Sequence, residues 1–165
     1  MDRRYLLAGT AIAGTTLAAS TLAASTGAAG DPALIDRFAA TLSAHDMTAF
    51  AALFAEDYVN HQTSAAVPAP PPGKTPKQLS VAFFAARLAG MPDLRVTVET
   101  ALAGDDKVAA SFVYTGTHGG LYFGIKPTGR PLRFTSCDIF RVKNGQFAEH
   151  WGMGDIAGVL AQLRA

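Results

Sequence analysis

Leu94-Arg95-Val96-Thr97-Val98-Glu99 alternates apolar and polar side chains one by one, and at this stretch the chain changes period. A period of two puts Leu94, Val96 and Val98 on one face and Arg95, Thr97 and Glu99 on the other, the pattern of a half-buried strand. Further strand signals follow downstream. Gly104-Asp105-Asp106 marks a hairpin turn, Val108 to Thr117 reads as the next strand and Leu132 to Val142 as another. Asn144-Gly145 is a strong two-residue turn, and Phe147 to Met153 reads as the last strand. Gly119 to Pro131 interrupts the series as a long Gly-rich excursion. Asp155 then offers an N-cap to a closing helix from Ile156 to Leu163.

Upstream of Gly90 the spacing is helical. Asp31-Pro32 makes a fair N-cap and first-turn pair, and Leu34, Ile35, Phe38 and Leu42 recur on one face through about Ala44. His45-Asp46 breaks that helix. Met47, Phe50, Leu53 and Phe54 predict a second, short one, and Asp57 to Gln62 ends the helical region. Residues 63–76 are rich in Ala and Pro, which excludes regular helix and central strand and predicts a loop over the domain. A third helix is expected from Thr75 to Leu88, with Leu79, Phe83, Phe84 and Leu88 on its inner side. Helices first and an antiparallel meander afterwards define an α+β fold, with helices packed on a curved sheet.

The first thirty residues have a different character. Arg3 and Arg4 precede an uncharged run from Tyr5 to Leu22, diluted by Gly9, Gly14 and several Thr, and small residues then offer cleavage sites at Ala24, Ala28 and Ala29. The segment predicts an export signal of the twin-arginine type, with the mature domain spanning residues 31–165 and the product leaving the cytoplasm. Replacing Arg3 and Arg4 by Lys is expected to trap the precursor in the cytoplasm, read by fractionation. Normal export of that variant would exclude the twin-arginine route. No stop-transfer flank follows, so no membrane span is expected to remain after processing.

Removing residues 1–30 takes Lys+Arg from 14 to 12 and Asp+Glu from 13 to 12, a near-neutral domain without the basic excess of a nucleic-acid binder. Cys137 is the sole cysteine, so no internal disulfide can form; its strand setting predicts a buried thiol. No two of the four histidines stand three or four apart on one helix, and no metal site is expected.

Several ordered pieces carry a resemblance: Asp57-Tyr58-Val59-Asn60-His61, Met91-Pro92-Asp93-Leu94, Thr115-Gly116-Thr117-His118, Pro127-Thr128-Gly129-Arg130, Arg141-Val142-Lys143-Asn144-Gly145, Glu149-His150-Trp151 and Asp155. Together, over Asp31 to Leu163, the chain resembles the SnoaL-like polyketide cyclases. The resemblance implies the cone-shaped barrel of the nuclear transport factor two-like superfamily around an apolar pocket. It also implies ring closure by intramolecular aldol condensation, without metal or organic cofactor, on a small hydrophobic molecule, and possible pairing into a homodimer. Such chemistry needs a base beside a carbonyl and a donor for the oxyanion. The family's catalytic aspartate falls on Asp155. The turn Gly119-Gly120-Leu121-Tyr122 departs from the family, where an acidic residue is common.

Each candidate has a plain structural alternative. Asp155 reads as catalytic base, sharing a strand face with Trp151 and Met153, or as the N-cap of the last helix. His61 reads as a pocket-rim donor or a surface cation. His118, in step with Phe112 and Tyr114, reads as inward-facing or as a hairpin-end residue. Tyr58, Phe83, Phe112, Tyr114 and Trp151 read as pocket lining or as core. His150, opposite in phase to Trp151, is expected to face outward or a subunit interface. Asp138 alternates with Phe134, Phe140 and Val142 and so sits on an apolar face, where it must be partnered or partly wet; Arg133 and Arg141 are the partners in reach. Two function classes remain: an acid/base enzyme on a hydrophobic carbonyl compound (a cyclase, or a dehydratase or isomerase on the same fold), and a binding protein that holds such a ligand unchanged.

Overall fold

A computed structural model describes residues 30–62 and 71–165 of the chain. The export-signal reading and most of the Ala/Pro loop fall outside the described residues. The elements are α1 (Ala33–Ser43), α2 (Met47–Ala52), β1 (Phe54–Asn60), α3 (Pro76–Gly90), β2 (Arg95–Gly104), β3 (Lys107–Thr117), β4 (Pro131–Lys143), β5 (Gln146–Gly154) and α4 (Ile156–Arg164). None of these helices is long and apolar enough to cross a membrane.

Local chemistry sets the helix starts. The backbone N–H of Ala49 donates to Asp46 Oδ1 at 2.9 Å and so caps α2. At α3 a reciprocal pair forms: the Gln78 N–H donates to Thr75 Oγ1 at 3.2 Å, and the Thr75 N–H donates to Gln78 Oε1 at 3.1 Å. Pro76 occupies the first turn, where its missing N–H costs nothing. The Asn144-Gly145 turn has positive φ at both residues, 52° and 74°, as a two-residue hairpin of this twist requires.

The five strands lie in the order β1-β5-β4-β3-β2. Neighbours are antiparallel except β1 and β5, which run parallel. Two expectations therefore change. Phe54 to Asn60 is an edge strand instead of a helix end and a loop, and the sheet on which the helices pack, as expected of the α+β fold, is mixed instead of wholly antiparallel and is not closed. The strand escapes a period-of-two test because its register against β5 shifts between Phe54 and Val59, leaving Phe54, Ala55 and Tyr58 buried without regular alternation.

The buried faces of α1, β3, β4 and β5 share one aromatic core. Phe38 lies at its centre, with ring centroids 4.9 Å from Phe112, 5.2 Å from Phe50 and 5.9 Å from Phe140. At the far edge of β4, α4 takes over where β5 ends. The Asp155 N–H donates to the Thr135 carbonyl at 3.1 Å, and Gln162 exchanges two hydrogen bonds of 2.9 Å with the backbone of Arg133. Those bonds satisfy backbone groups that an open strand edge would leave exposed.

A bulge in β5 decides which side chains face inward. Arg141 pairs with Glu149 but Val142 pairs with Phe147, so Ala148 is an extra residue. One inserted residue reverses the alternation beyond it. Phe147 is inward before the bulge; His150 is inward after it, and Met153 is 78% exposed. His150 is thus a buried inward residue, not an outward one. Cys137, one residue out of step with Asp138 on β4, is exposed and not buried.

Two of the sequence motifs meet at the sheet end. Asp93 accepts the Thr117 N–H at 2.6 Å and the Thr117 hydroxyl at 2.7 Å. These two bonds hold its carboxyl below the ordinary value of 3.8. A depressed carboxyl stabilises the fold above its unfolded value and loses that contribution as pH falls through the folded one. Thermal melts are expected to show a drop in Tm on acidification below that ordinary value that is smaller in Asp93→Asn. An unchanged acid limb in the variant would show that the Asp93–Thr117 tie contributes nothing.

Candidate functional site

A cavity of about 790 Å³ opens between α3 and the inner face of the sheet, within the size range of small-molecule sites. Its walls are mainly aromatic, from Phe38, Phe54, Tyr58, Phe83, Phe84 and Phe140. Polar groups from three strands interrupt that lining along one line. Tyr114 comes from β3, Ser136 and Asp138 from β4, and His150 from β5. Asn60 of β1 stands at one end.

Asp138 and His150 are each at least nine-tenths buried and form the centre of that line. His150 Nε2 lies 2.7 Å from Asp138 Oδ1, and Ser136 Oγ donates to Asp138 Oδ2 at 2.5 Å. Ser136 Oγ stands 3.4 Å from the Tyr114 hydroxyl, which extends the chain. On the other side, His150 Nδ1 is 3.1 Å from Asn60 Oδ1. That oxygen also accepts the Gln62 N–H at 2.9 Å, which fixes it as an acceptor, and Asn60 Nδ2 donates to Ser80 at 3.3 Å. The partners therefore assign the hydrogen of Nδ1 to the Asn60 bond. Nε2 then meets the carboxylate across one shared proton, since two bare lone pairs would repel at 2.7 Å. The imidazole is also stacked on Phe140 at 4.7 Å. Gly152 makes room for the pair: a Cβ there would collide with Asp138 Oδ1 and His150 Nε2.

Two phenols complete the polar set. Burial pushes Tyr58 up to about 12 and Tyr114 up to about 12, so both keep their protons and act as hydrogen-bond donors. Asp138 thus has its partner in His150, not in either arginine. Arg141 turns away to Glu149, at 2.7 Å, and to Asp106.

The residues singled out from sequence divide between cavity and elsewhere. Tyr58, Phe83 and Tyr114 line the cavity. Phe112 is fully buried in the core behind Phe38. Trp151 lies on the outer face, stacked on His61 at 4.6 Å with 6° between the planes. His61 pairs with Glu149 at 2.8 Å, a bond that, with the Arg141 contact, holds the glutamate carboxyl below its usual range. His118 is wholly buried, 3.0 Å from Thr128 Oγ1, and stands apart from the cavity lining. Asp155 is exposed and accepts the Gly158 N–H at 2.8 Å as the N-cap of α4. The three residues expected to be catalytic are therefore not brought together, whereas Asp138 and His150 are.

The SnoaL-like polyketide cyclase family model matches residues 33–163, and the chain belongs to that family. Among solved structures it is similar to IdmH, a candidate polyketide cyclase from Streptomyces antibioticus, at 30% identity and TM-score 0.68, covering 81% of this chain and 97% of that one. AclR, a candidate hydroxylase from Streptomyces galilaeus, matches at 24% identity and TM-score 0.67, over 80% of this chain and 79% of that one. A protein of ketosteroid isomerase-like fold from Catenulispora acidiphila, in complex with trimethylamine, matches at 23% identity and TM-score 0.61, over 81% and 93%. These last two likenesses concern the fold. No curated protein matches the chain significantly.

Proposed function

We propose that this protein is an acid/base enzyme of the cyclase type, acting on a hydrophobic carbonyl compound bound in the aromatic cavity. The observation that carries the reading is the buried Asp138–His150 pair at the cavity wall. A carboxylate with one shared proton can take a proton from the carbon next to a carbonyl and return it later. Asp138 accepts that proton, and His150, held by Asn60, keeps the carboxylate aligned. Tyr58 and Tyr114 are the donors for the enolate oxygen that forms. The enolate carbon then attacks a second carbonyl of the same molecule, a C–C bond closes the ring, and the new alkoxide recovers the proton from Asp138. Protons and electrons balance within the substrate and the pair.

Ring closure and simple isomerisation share the first step, and family membership favours closure. Asp138 rather than Asp155 fills the role of base because Asp155 lies outside the cavity. The test is incubation with a panel of aromatic and aliphatic 1,5- and 1,6-diketones, in which the enolate carbon can reach the second carbonyl of the same molecule and close an unstrained ring, with binding and product formation followed together. Conversion of at least one bound compound is expected. Compounds that bind in the cavity but are all returned unchanged would overturn the reading in favour of a binding protein.

A further inference from the structure

Arg87, on the inner side of α3, is only 3% exposed and lines the cavity, yet among the described residues no carboxylate lies within ion-pair distance of it. Its Nε donates to the Tyr122 hydroxyl at 3.2 Å. Its guanidinium carbon sits over four rings, 4.5 Å from the centroid of Tyr114, 4.9 Å from Phe83 and Phe84 and 5.0 Å from Phe134. The two terminal nitrogens make no further hydrogen bond of good geometry to a described residue, although the Tyr114 hydroxyl lies near enough for the cation to act on it. They are not sealed in either, because His118 Nε2 is the one described side-chain nitrogen or oxygen both fully buried and unpartnered. The open end of the fork therefore reaches cavity space.

We propose that Arg87 is an anion-binding subsite and that the ligand of this cavity is an amphipathic organic acid, with its carboxylate on the guanidinium. A buried charge persists only when it is compensated. The four rings lend partial compensation through their faces, but rings leave the planar donors of the fork unused. A carboxylate matches those donors two by two. Asp138 acts on Arg87 through space but forms no ion pair with it, its two oxygens being engaged by His150 and Ser136. The aromatic wall beside Arg87, with Phe83 and Phe84 one helical turn away, is the seat for an apolar body. The proposal rests on the cavity being the ligand site, but not on proton transfer by Asp138.

Isothermal titration of the whole protein with naphthoate, anthracenecarboxylate and a medium-chain fatty acid, each against its own methyl ester, tests the subsite without any turnover. Wild type is expected to bind at least one acid about 10- to 100-fold more tightly than its ester, the range of hydrogen bonds to a charged group. Arg87→Met is expected to abolish that preference, Arg87→Lys to keep part of it, and Asp138→Asn to keep all of it. Equal affinity for every acid and ester in wild type, absence of acid binding, or a preference that survives in Arg87→Met would each overturn the proposal. Should the Met variant not fold, the wild-type comparison and the Lys variant decide. Preference without turnover supports the subsite and sinks the enzyme; turnover without preference does the reverse.

Discussion

Asp138→Asn is expected to lower turnover by about 10²–10⁴-fold, the usual worth of a positioned general base, with ligand binding and stability nearly unchanged. The amide is close to the carboxylate in shape. Its Nδ2 can donate to His150 Nε2 while its Oδ1 accepts the Ser136 hydroxyl, so both buried bonds that now stand at 2.7 Å and 2.5 Å have replacements. What disappears is the capacity to accept a substrate proton. Asp138→Ala differs, because it strands a buried imidazole nitrogen and costs about 1–3 kcal/mol in addition to activity. Asp155→Asn is the matching control and should leave turnover intact, since Asn caps a helix nearly as well as Asp. Steady-state kinetics and thermal melts on the three variants check the contrast. Full turnover by Asp138→Asn would remove the residue from the mechanism.

Phe112→Ala is expected to cost about 3–5 kcal/mol of stability, the range for deleting a buried phenylalanine ring. The side chain has no exposed surface, and its ring is 4.9 Å from Phe38, which in turn lines the cavity. Phe112 is therefore the support behind the wall and not the wall itself. Urea unfolding should reveal the loss, and any change in ligand affinity should follow from Phe38 sinking into the vacated space. A cost below about 1 kcal/mol, with ligand affinity abolished, would mean instead that Phe112 contacts the ligand directly.

Much of the fold was legible because regular periods are local. The switch at Leu94, the turns at Asp105 and Asn144, the cap at Asp155 and the amphipathic face of α1 all depend on residues within a few positions of one another. The edge strand β1 was not legible, since its shifted register erases the alternation that marks a strand. The site was half legible. Asp138 on an apolar face was visible as a carboxylate in need of a partner, but the partner came from another strand whose phase had been inverted. Ala148 does that: counted without the bulge, Trp151 and Met153 face inward and His150 outward, and Asp155 inherits a place at the cavity mouth. With the bulge the assignment reverses. The signal that could have pointed to His150 is the run His150-Trp151-Gly152-Met153-Gly154, where glycines alternate in phase with the histidine and leave space on its side. Arg87 gave no warning, because an arginine at a helical inner position reads as a snorkelling surface residue until the rings around it are known.

Solvent-deuterium exchange at the carbon next to the carbonyl of a bound β-keto ester, followed by proton NMR, tests the proton-transfer role of the buried pair most directly. It needs no ring closure and no knowledge of the natural product. Exchange well above the buffer rate is expected with wild type, a fall to the buffer rate with Asp138→Asn, and an undiminished rate with Asp155→Asn. Exchange that persists in Asp138→Asn, or that is lost in Asp155→Asn, would contradict the proton-transfer role of the pair.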